Sequence, residues 1–270
     1  MPVRIVQSKQ NPRLKELRRA LASPGRGGDG LAGIEGPNLM GEAVRAGLGV
    51  RCVFVAQEAE HFLDGLDLGP EIEVILLPGE LLDSVLTTEA PQRIAALVEM
   101  PVWGWRDVLE GRDKPLVIVL AGLQDPGNLG TILRSAEAFG ASGVVSLPGT
   151  VSGWNPKAVR ASAGSVFRVP LISTTAEECF MRLREAGVKI LSTALRGAEL
   201  ANCVDLAGPV ALLIGNEGNG VPEALAAEAD EAVTIPCPGP VESLNAAVAA
   251  SVLLYEASRQ RSCAPDRRLP

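Results

Sequence analysis

Amides, hydroxyls, a carboxylate and an arginine gather in three short stretches of this chain, each beside an apolar run. The first is Asp125-Pro126-Gly127-Asn128-Leu129-Gly130-Thr131-Ile132-Leu133-Arg134. It follows a strand pattern and opens a helix, and Gly127 and Gly130 let backbone approach a ligand closely. Asn128 and Arg134 are six residues apart, so a loop residue and a residue of the first helical turns can converge. An arginine there suits a phosphate, because its planar fork matches the oxygens. The plainer reading is a strand-to-helix turn with a surface arginine.

The second stretch, Leu213-Ile214-Gly215-Asn216-Glu217-Gly218-Asn219-Gly220, also ends an apolar run. It is a G-x-x-G-x-G pattern, whereas a dinucleotide fingerprint needs G-x-G-x-x-G. The chain contains no Gly-Lys pair, so a phosphate loop is excluded too. An oxidoreductase or nucleotide hydrolase loses its main support, and a Gly/Asn-rich turn is the bland alternative. The third stretch, Ile235-Pro236-Cys237-Pro238-Gly239-Pro240-Val241-Glu242-Ser243-Leu244-Asn245, runs into a closing helix. Glu242, Ser243 and Asn245 crowd its N-terminus, where free N–H groups favour acceptors. Plain capping by Ser243 explains this equally well.

Other chemistries are poorly supplied. The sole histidine, His61, has no partner motif for a Ser-His-Asp mechanism. The five cysteines form no C-x-x-C pair and are odd in number, against both a zinc site and a disulfide framework. No metal is expected. No run of 18 uncharged apolar residues occurs and the N-terminus has no apolar signal region, so a cytoplasmic protein without membrane attachment is expected.

The net charge is −7, unusual for a nucleic-acid binder, but it is unevenly spread. The first 26 residues hold Arg4, Lys9, Arg13, Lys15, Arg18, Arg19 and Arg26 against Glu16 alone. A basic arm on an acidic body can dock on phosphates; a solvated charged helix is the alternative.

The positioning elements divide into two segments. Residues 1–100 read as a basic helix (12–21), a Gly-rich loop, a helix at 37–44, and strands at 52–55 and 74–77. Residues 101–114, with Trp103 and Trp105, read as a linker. Residues 115–270 alternate strand and helix: strands at 117–120, 143–147, 188–191 and 210–214, and helices at 131–139 and 242–257. The last helix would place Leu244, Val248, Val252 and Tyr255 on one face, and the tail from Arg259 reads as loose. Such alternation implies an α/β fold with a mostly parallel sheet, whose ligands bind beyond the carboxyl ends of the strands.

Taken together, Asn128 with Gly130, Thr131 and Arg134, then Gly215-Asn216-Glu217-Gly218, then Ile235-Pro236 with Val241-Glu242-Ser243-Leu244-Asn245, resemble the SpoU-type RNA ribose methyltransferases of the SPOUT superfamily. Asn155-Pro156-Lys157-Ala158-Val159-Arg160-Ala161-Ser162-Ala163-Gly164-Ser165 is similar to the family's intervening segment, and the resemblance covers about residues 115–257. Ser8-Lys9-Gln10-Asn11-Pro12 and Ile34-Glu35-Gly36-Pro37-Asn38-Leu39 carry a weaker likeness to the small substrate-recognition domain that precedes many members. Cys237 stands where a methionine is usual, Pro240 stiffens its loop, and Arg93 follows Pro91-Gln92 where glycine is frequent.

The resemblance implies a trefoil-knotted catalytic domain, S-adenosylmethionine as methyl donor, a homodimer, and RNA as partner, ribosomal RNA before transfer RNA. It implies Thr193, Ala194, Leu195, Gly215, Asn216, Glu217, Ile235 and Leu244 at the cofactor. Arg134, Asn128, Glu217, Ser243 and Asn245 would form the catalytic group. Lys9, Arg13, Lys15, Arg18, Arg19 and Arg134 would meet RNA. A non-catalytic RNA-binding module of the same fold is the competing class.

Overall fold

The computed structural model describes residues 2–25, 30–111, 113–195, 197–241 and 243–262. Arg26, Glu242 and the tail from Cys263, all named above, lie outside them. Contacts divide the chain into two compact units, 1–102 with 154–168, and 103–153 with 169–270.

The first unit holds β1 (Val3–Ile5), α1 (Pro12–Ala22), β2 (Leu31–Glu35), α2 (Pro37–Arg45), β3 (Val50–Ala56), β4 (Glu73–Leu77), α3 (Gly79–Asp83) and β5 (Ile94–Glu99). Its sheet runs β1-β4-β3-β5-β2; β1, β4 and β3 are parallel, and β5 is antiparallel to β3 and β2. The basic N-terminal stretch is an integral helix here. Leu14, Leu17, Ala20 and Leu21 of α1 are buried in a core with Phe54, Ile75 and Leu97. Asn11 caps this helix and Pro12 opens it, where a missing N–H costs nothing. Arg13 is held by Glu16 at 2.9 Å and Glu73 at 3.4 Å, while Lys9, Lys15, Arg18 and Arg19 are exposed.

The second unit holds α4 (Trp105–Leu109), β6 (Leu116–Leu120), α5 (Pro126–Ala138) and β7 (Gly143–Ser146). After α6 (Pro156–Ser162), which belongs to the first unit, come β8 (Leu171–Ser173), α7 (Ala176–Glu185), β9 (Lys189–Thr193), β10 (Glu199–Leu200), β11 (Val210–Ile214), α8 (Glu223–Ala226), β12 (Glu231–Thr234) and α9 (Ala246–Ser262). The sheet order is β10-β12-β9-β11-β6-β7-β8, and each of its pairings is parallel. β6 and β11 are buried along their whole length, as expected of parallel strands covered on both faces.

Several expectations change. The stretch read as a linker contains α4, whose Val108 is fully buried and whose Trp105 donates to Glu178 at 3.2 Å. Segment 154–168 leaves the second sheet to join the first unit, where Arg168 pairs with Glu42 at 2.7 Å. α5 begins at Pro126, not near 131, because Asp125 caps it. α9 begins at Ala246 and extends to Ser262, so Arg259–Ser262 is helix and not loose tail. Arg261 secures that end on the carbonyls of Leu206, Gly208, Lys114 and Pro115. Its buried face is Ala246, Ala247, Ala250, Leu253, Leu254 and Ala257. Val248, Val252 and Tyr255 face solvent. No helix among the described residues is long and apolar enough to cross a membrane.

Candidate active site

The carboxyl ends of β12, β9, β11 and β6 are neighbours in the second sheet. Register places Thr193 beside Val233, and Ile214 beside Leu120. The residues that follow these strands therefore gather at one end: Ala194 and Leu195 after β9, Gly215 to Gly220 after β11, and Ile235 after β12. This edge is where a parallel sheet presents ligands. Leu195 is 70% exposed, while Ile235 and Leu244 are half-buried. Leu195 and Ile235 thus leave apolar surface uncovered at the strand ends.

The loop after β11 turns back on itself. Asn216 and Gly220 exchange backbone hydrogen bonds of 3.0 and 2.9 Å. Gly215 is buried inside this turn, and a Cβ there would stand 2.0 Å from the carbonyl carbon of Gly220. Only glycine fits. Asn216 Nδ2 then donates to the Gly122 carbonyl at 3.0 Å, fastening the loop to the end of β6.

Glu217, carried at the tip, reaches the N-terminus of α5. Its carboxylate accepts from Asn128 Nδ2 at 2.9 Å, Asp125 N at 3.3 Å and Gln124 N at 3.5 Å. Asn128 Oδ1 in turn accepts from Asn245 Nδ2 at 3.0 Å. Asn245 Oδ1 accepts from Ala247 N and Val248 N at 2.9 and 3.2 Å, so this asparagine caps α9. The three sequence clusters thus meet in one directed line, Glu217–Asn128–Asn245. Burial raises the Glu217 pKa, but hydrogen bonds from Asn128, its own backbone, Asp125 and Gln124 outweigh it. The net effect holds the carboxyl below its ordinary range.

Two details differ from the sequence reading. Asn128 lies inside α5, three residues past the cap Asp125, rather than in a loop. The cap of α9 is Asn245, not Ser243, because the helix starts four residues later than expected. Ser243 is exposed and has no hydrogen-bond partner among the described residues. Arg134 is likewise exposed, with no ion pair or side-chain hydrogen bond among the described residues. It stands six residues along α5 from Asn128, about 9 Å of helical rise. The structure therefore joins Asn128, Glu217 and Asn245, and leaves Arg134 and Ser243 unengaged. Thr193 is tied back into the sheet by its hydroxyl, which donates to the Leu213 carbonyl at 2.9 Å.

Sequence reasoning missed Asp125 and Gln124 as holders of Glu217. The signal for Asp125 was present: an Asp-Pro pair marks a cap followed by the first helical position. Cys52 and Cys179 offer no nucleophile, since burial pushes both thiols up to about 12. No group of three or more His, Cys, Asp or Glu side chains among the described residues is placed to hold a metal ion.

Known proteins resemble the chain across the stretch that carries this geometry. The model of the SpoU rRNA Methylase family matches residues 115–255. The chain belongs to this family. A 23S rRNA (guanosine(2553)-2′-O)-methyltransferase, RlmP of Bacillus subtilis, is 33% identical over 250 residues, covering 93% of this chain and 97% of that protein. The SpoU methyltransferase AviRb of Streptomyces viridochromogenes, solved with the cofactor AdoMet, superposes with a TM-score of 0.80 at 30% identity, covering 94% of this chain and 99% of that one. An AdoMet-bound rRNA methyltransferase from Sinorhizobium meliloti gives 0.83 at 29% identity, over 95% and 98% of the two chains. The second unit accordingly has the knotted fold of the SpoU enzymes, a class that periodicity could not have indicated, since knots are nearly absent from folds.

Proposed function

We propose that this protein transfers the methyl group of S-adenosylmethionine to a ribose 2′-hydroxyl of ribosomal RNA. The observation that carries the reading is the line Glu217–Asn128–Asn245, with Arg134 exposed six residues further along α5 and unpaired among the described residues. Full-length relatives named as 23S rRNA 2′-O-methyltransferases support the substrate.

The residues at the strand ends fit such a donor. Leu195, Ile235 and Leu244 offer apolar surface to its adenosine and methionine portions, and the backbone of Thr193–Leu195 offers polar groups. Gly215 and Asn216 shape the turn, and the ionised Glu217 at its tip would offer negative charge to a cationic donor. Bound S-adenosylmethionine supplies an electrophilic methyl group and a neutral thioether leaving group.

What remains for the protein is the nucleophile. Arg134 clamps the phosphate next to the target ribose and offsets negative charge that grows on the 2′-oxygen as its proton departs. A guanidinium is already protonated at neutral pH, so the proton passes to an RNA phosphate oxygen or to water. Ser243 presents a free hydroxyl to the sugar. Asn128 and Asn245, fixed by their mutual bond, keep Glu217 and the start of α9 in register. Alignment of this kind contributes up to roughly 7–11 kcal/mol in the best cases. The three clusters contain no Phe, Tyr, Trp or His, so they lack the aromatic grip usual for an extruded base.

Two partners complete the proposal. RNA would be held in part by the exposed basic residues of α1, Lys15, Arg18 and Arg19, with Lys9 before them. A second copy of the chain would cover Val248, Val252 and Tyr255, exposed at spacings of four and three along α9. The cytoplasm, where ribosomal RNA is found, would be its location.

The test is a map of ribose methylation in RNA from cells with and without the gene. One alkali-resistant linkage in ribosomal RNA should disappear, because a methylated 2′-oxygen cannot attack its phosphodiester. A transcript with a 2′-deoxy nucleotide at the target should accept no methyl group there. Normal transfer to the deoxy transcript overturns the reading, and loss of a mark from transfer RNA alone moves the substrate.

A further inference from the structure

Among the arginines of the first unit, two groups stand apart. Arg13, Arg45, Arg51, Arg93 and Arg168 each meet a carboxylate. Arg18 and Arg160 are exposed and meet none among the described residues. Both instead reach one short connection between α3 and β5. Arg18 Nη2 lies 3.5 Å from the Ser84 carbonyl, and Arg160 Nη1 donates to Thr87 Oγ1 at 3.3 Å. Ser84 and Thr87 are three residues apart, so the two anchor points are separated by about 11 Å at most.

The connection is fixed from beneath. Glu35, at the end of β2, is only 9% exposed. Its Oε1 accepts from Thr87 N at 2.7 Å and Thr87 Oγ1 at 2.8 Å. Its Oε2 accepts from Thr88 N at 3.2 Å and from the Thr88 hydroxyl. Both hydroxyl protons are spent inward, so toward solvent the two threonines offer acceptors, one of which receives Arg160. Each guanidinium makes one long bond and keeps most of its five donors for something else. The helix bearing Arg160 lies in the stretch that matches the SpoU family, yet it packs in the first unit, on β2.

We propose that Arg18 and Arg160 form a two-point grip on the phosphate backbone of the RNA substrate, held in place by the Thr87–Thr88 turn and its anchor Glu35. This rests on the reading that RNA is the substrate. A protein of net charge −7 repels a polyanion, so the cations that bind RNA are those its own carboxylates leave unneutralised. Arg18 and Arg160 satisfy that condition and stand on a rigid support. Arg13, although in the same basic stretch, does not.

The experiment compares full-length wild type, Arg18→Ala, Arg160→Ala and the double variant, binding an unmodified 23S rRNA transcript across a salt series. Each lost phosphate contact should reduce the salt slope by about 0.7, which is about fourfold weaker binding at 0.15 M salt and about fourteenfold for the double variant. S-adenosylmethionine affinity and kcat at saturating RNA should stay at wild-type values, with KM for RNA rising. Glu35→Gln should raise KM in the same way while leaving kcat; the arginine variants decide the matter if that protein does not fold. A double variant with the wild-type salt slope overturns the grip, even where the wild type methylates the transcript normally. A wild type that binds the transcript with this slope difference yet transfers no methyl group overturns the proposed function and leaves the grip standing.

Discussion

Glu35 in the first unit and Glu217 in the second occupy similar positions, one closing a strand and one just beyond a strand. Each seizes a neighbouring connection through two backbone N–H groups and at least one side chain. The difference lies in solvent. Glu35 is buried and takes four protein donors; Glu217 is exposed and its Asn128 partner is bonded onward to Asn245. A buried, saturated carboxylate has nothing left to offer a ligand and acts by holding its turn. An exposed carboxylate with weaker backbone bonds of 3.3 and 3.5 Å can still be approached. Glu35 thus holds a surface turn from beneath, whereas Glu217 stays open to solvent.

Chemistry near the second clamp should be most sensitive at Arg134. Arg134→Ala should lower turnover by about 10³-fold, the scale of losing a charge-stabilising donor, with S-adenosylmethionine affinity unchanged. Arg134→Lys should be nearly as poor, since a point charge does not reproduce a fork. Near-normal turnover in a single-turnover assay of either variant would remove Arg134 from the site.

A chain cut to residues 115–270 sharpens the comparison from the other side. It keeps Glu217 but loses β2, the strand on which α6 lies. Ala158, Val159, Val166 and Phe167, all buried in the intact protein, would then lose their cover. We expect a lower melting temperature and concentration-dependent association relative to the full chain. A monomeric fragment with the full-length melting temperature would mean that segment 154–168 is at home without the first unit.

Next in size are the paired substitutions Glu35→Gln and Glu217→Gln. An amide NH2 placed among donors leaves a buried group unsatisfied, so Glu35→Gln should cost about 1–3 kcal/mol of stability. For Glu217→Gln, in water, the cost should be about 0–1 kcal/mol, while turnover falls by about 10²-fold from misplaced groups. Thermal melts and kinetics on both variants check this. Equal losses of stability would erase the distinction between the clamps.

Much of this was legible in the chain. The buried strands were plain from apolar runs such as Leu116–Leu120 and Val210–Ile214, and the three polar stretches that supply the bonded line Glu217–Asn128–Asn245 were plain from their motifs. What escaped notice were long-range choices. Val248, Val252 and Tyr255 share a face, but so do Ala250, Leu253 and Ala257, and periodicity does not say which face the sheet takes. Alanines win here because α9 lies close against α5, where Ser135 and Ser251 approach to 2.7 Å. The site of Glu35 was also hidden. A charged residue ending Leu-Ala-Gly-Ile-Glu reads as a strand terminus, and its four donors lie 52 and 53 residues away. Arg93 takes a left-handed backbone, φ 53°, that favours glycine. Its guanidinium is held by Asp83 at 2.9 Å and by Glu58.

The response of Glu217 to pH should be slight. Because its hydrogen bonds hold the Glu217 carboxyl below the ordinary value near 4.5, the sign of its contribution is fixed. A depressed folded pKa adds stability that is fully present above the unfolded value and disappears as pH falls through the folded one. Between pH 5.5 and 7 Glu217 therefore keeps its charge, and the line to Asn128 and Asn245 keeps its acceptor. S-adenosylmethionine affinity, measured by calorimetry across that window, should change by less than about twofold on its account, and should weaken only at more acid pH. Glu217→Gln should bind more weakly without gaining any dependence on pH in the window. A wild-type affinity with a midpoint above pH 5.5 that vanishes in Glu217→Gln would mean that burial, not hydrogen bonding, governs this carboxyl. Glu217 would then resemble an isolated buried acid, and the contrast with Glu35 would have to be drawn from something other than solvent.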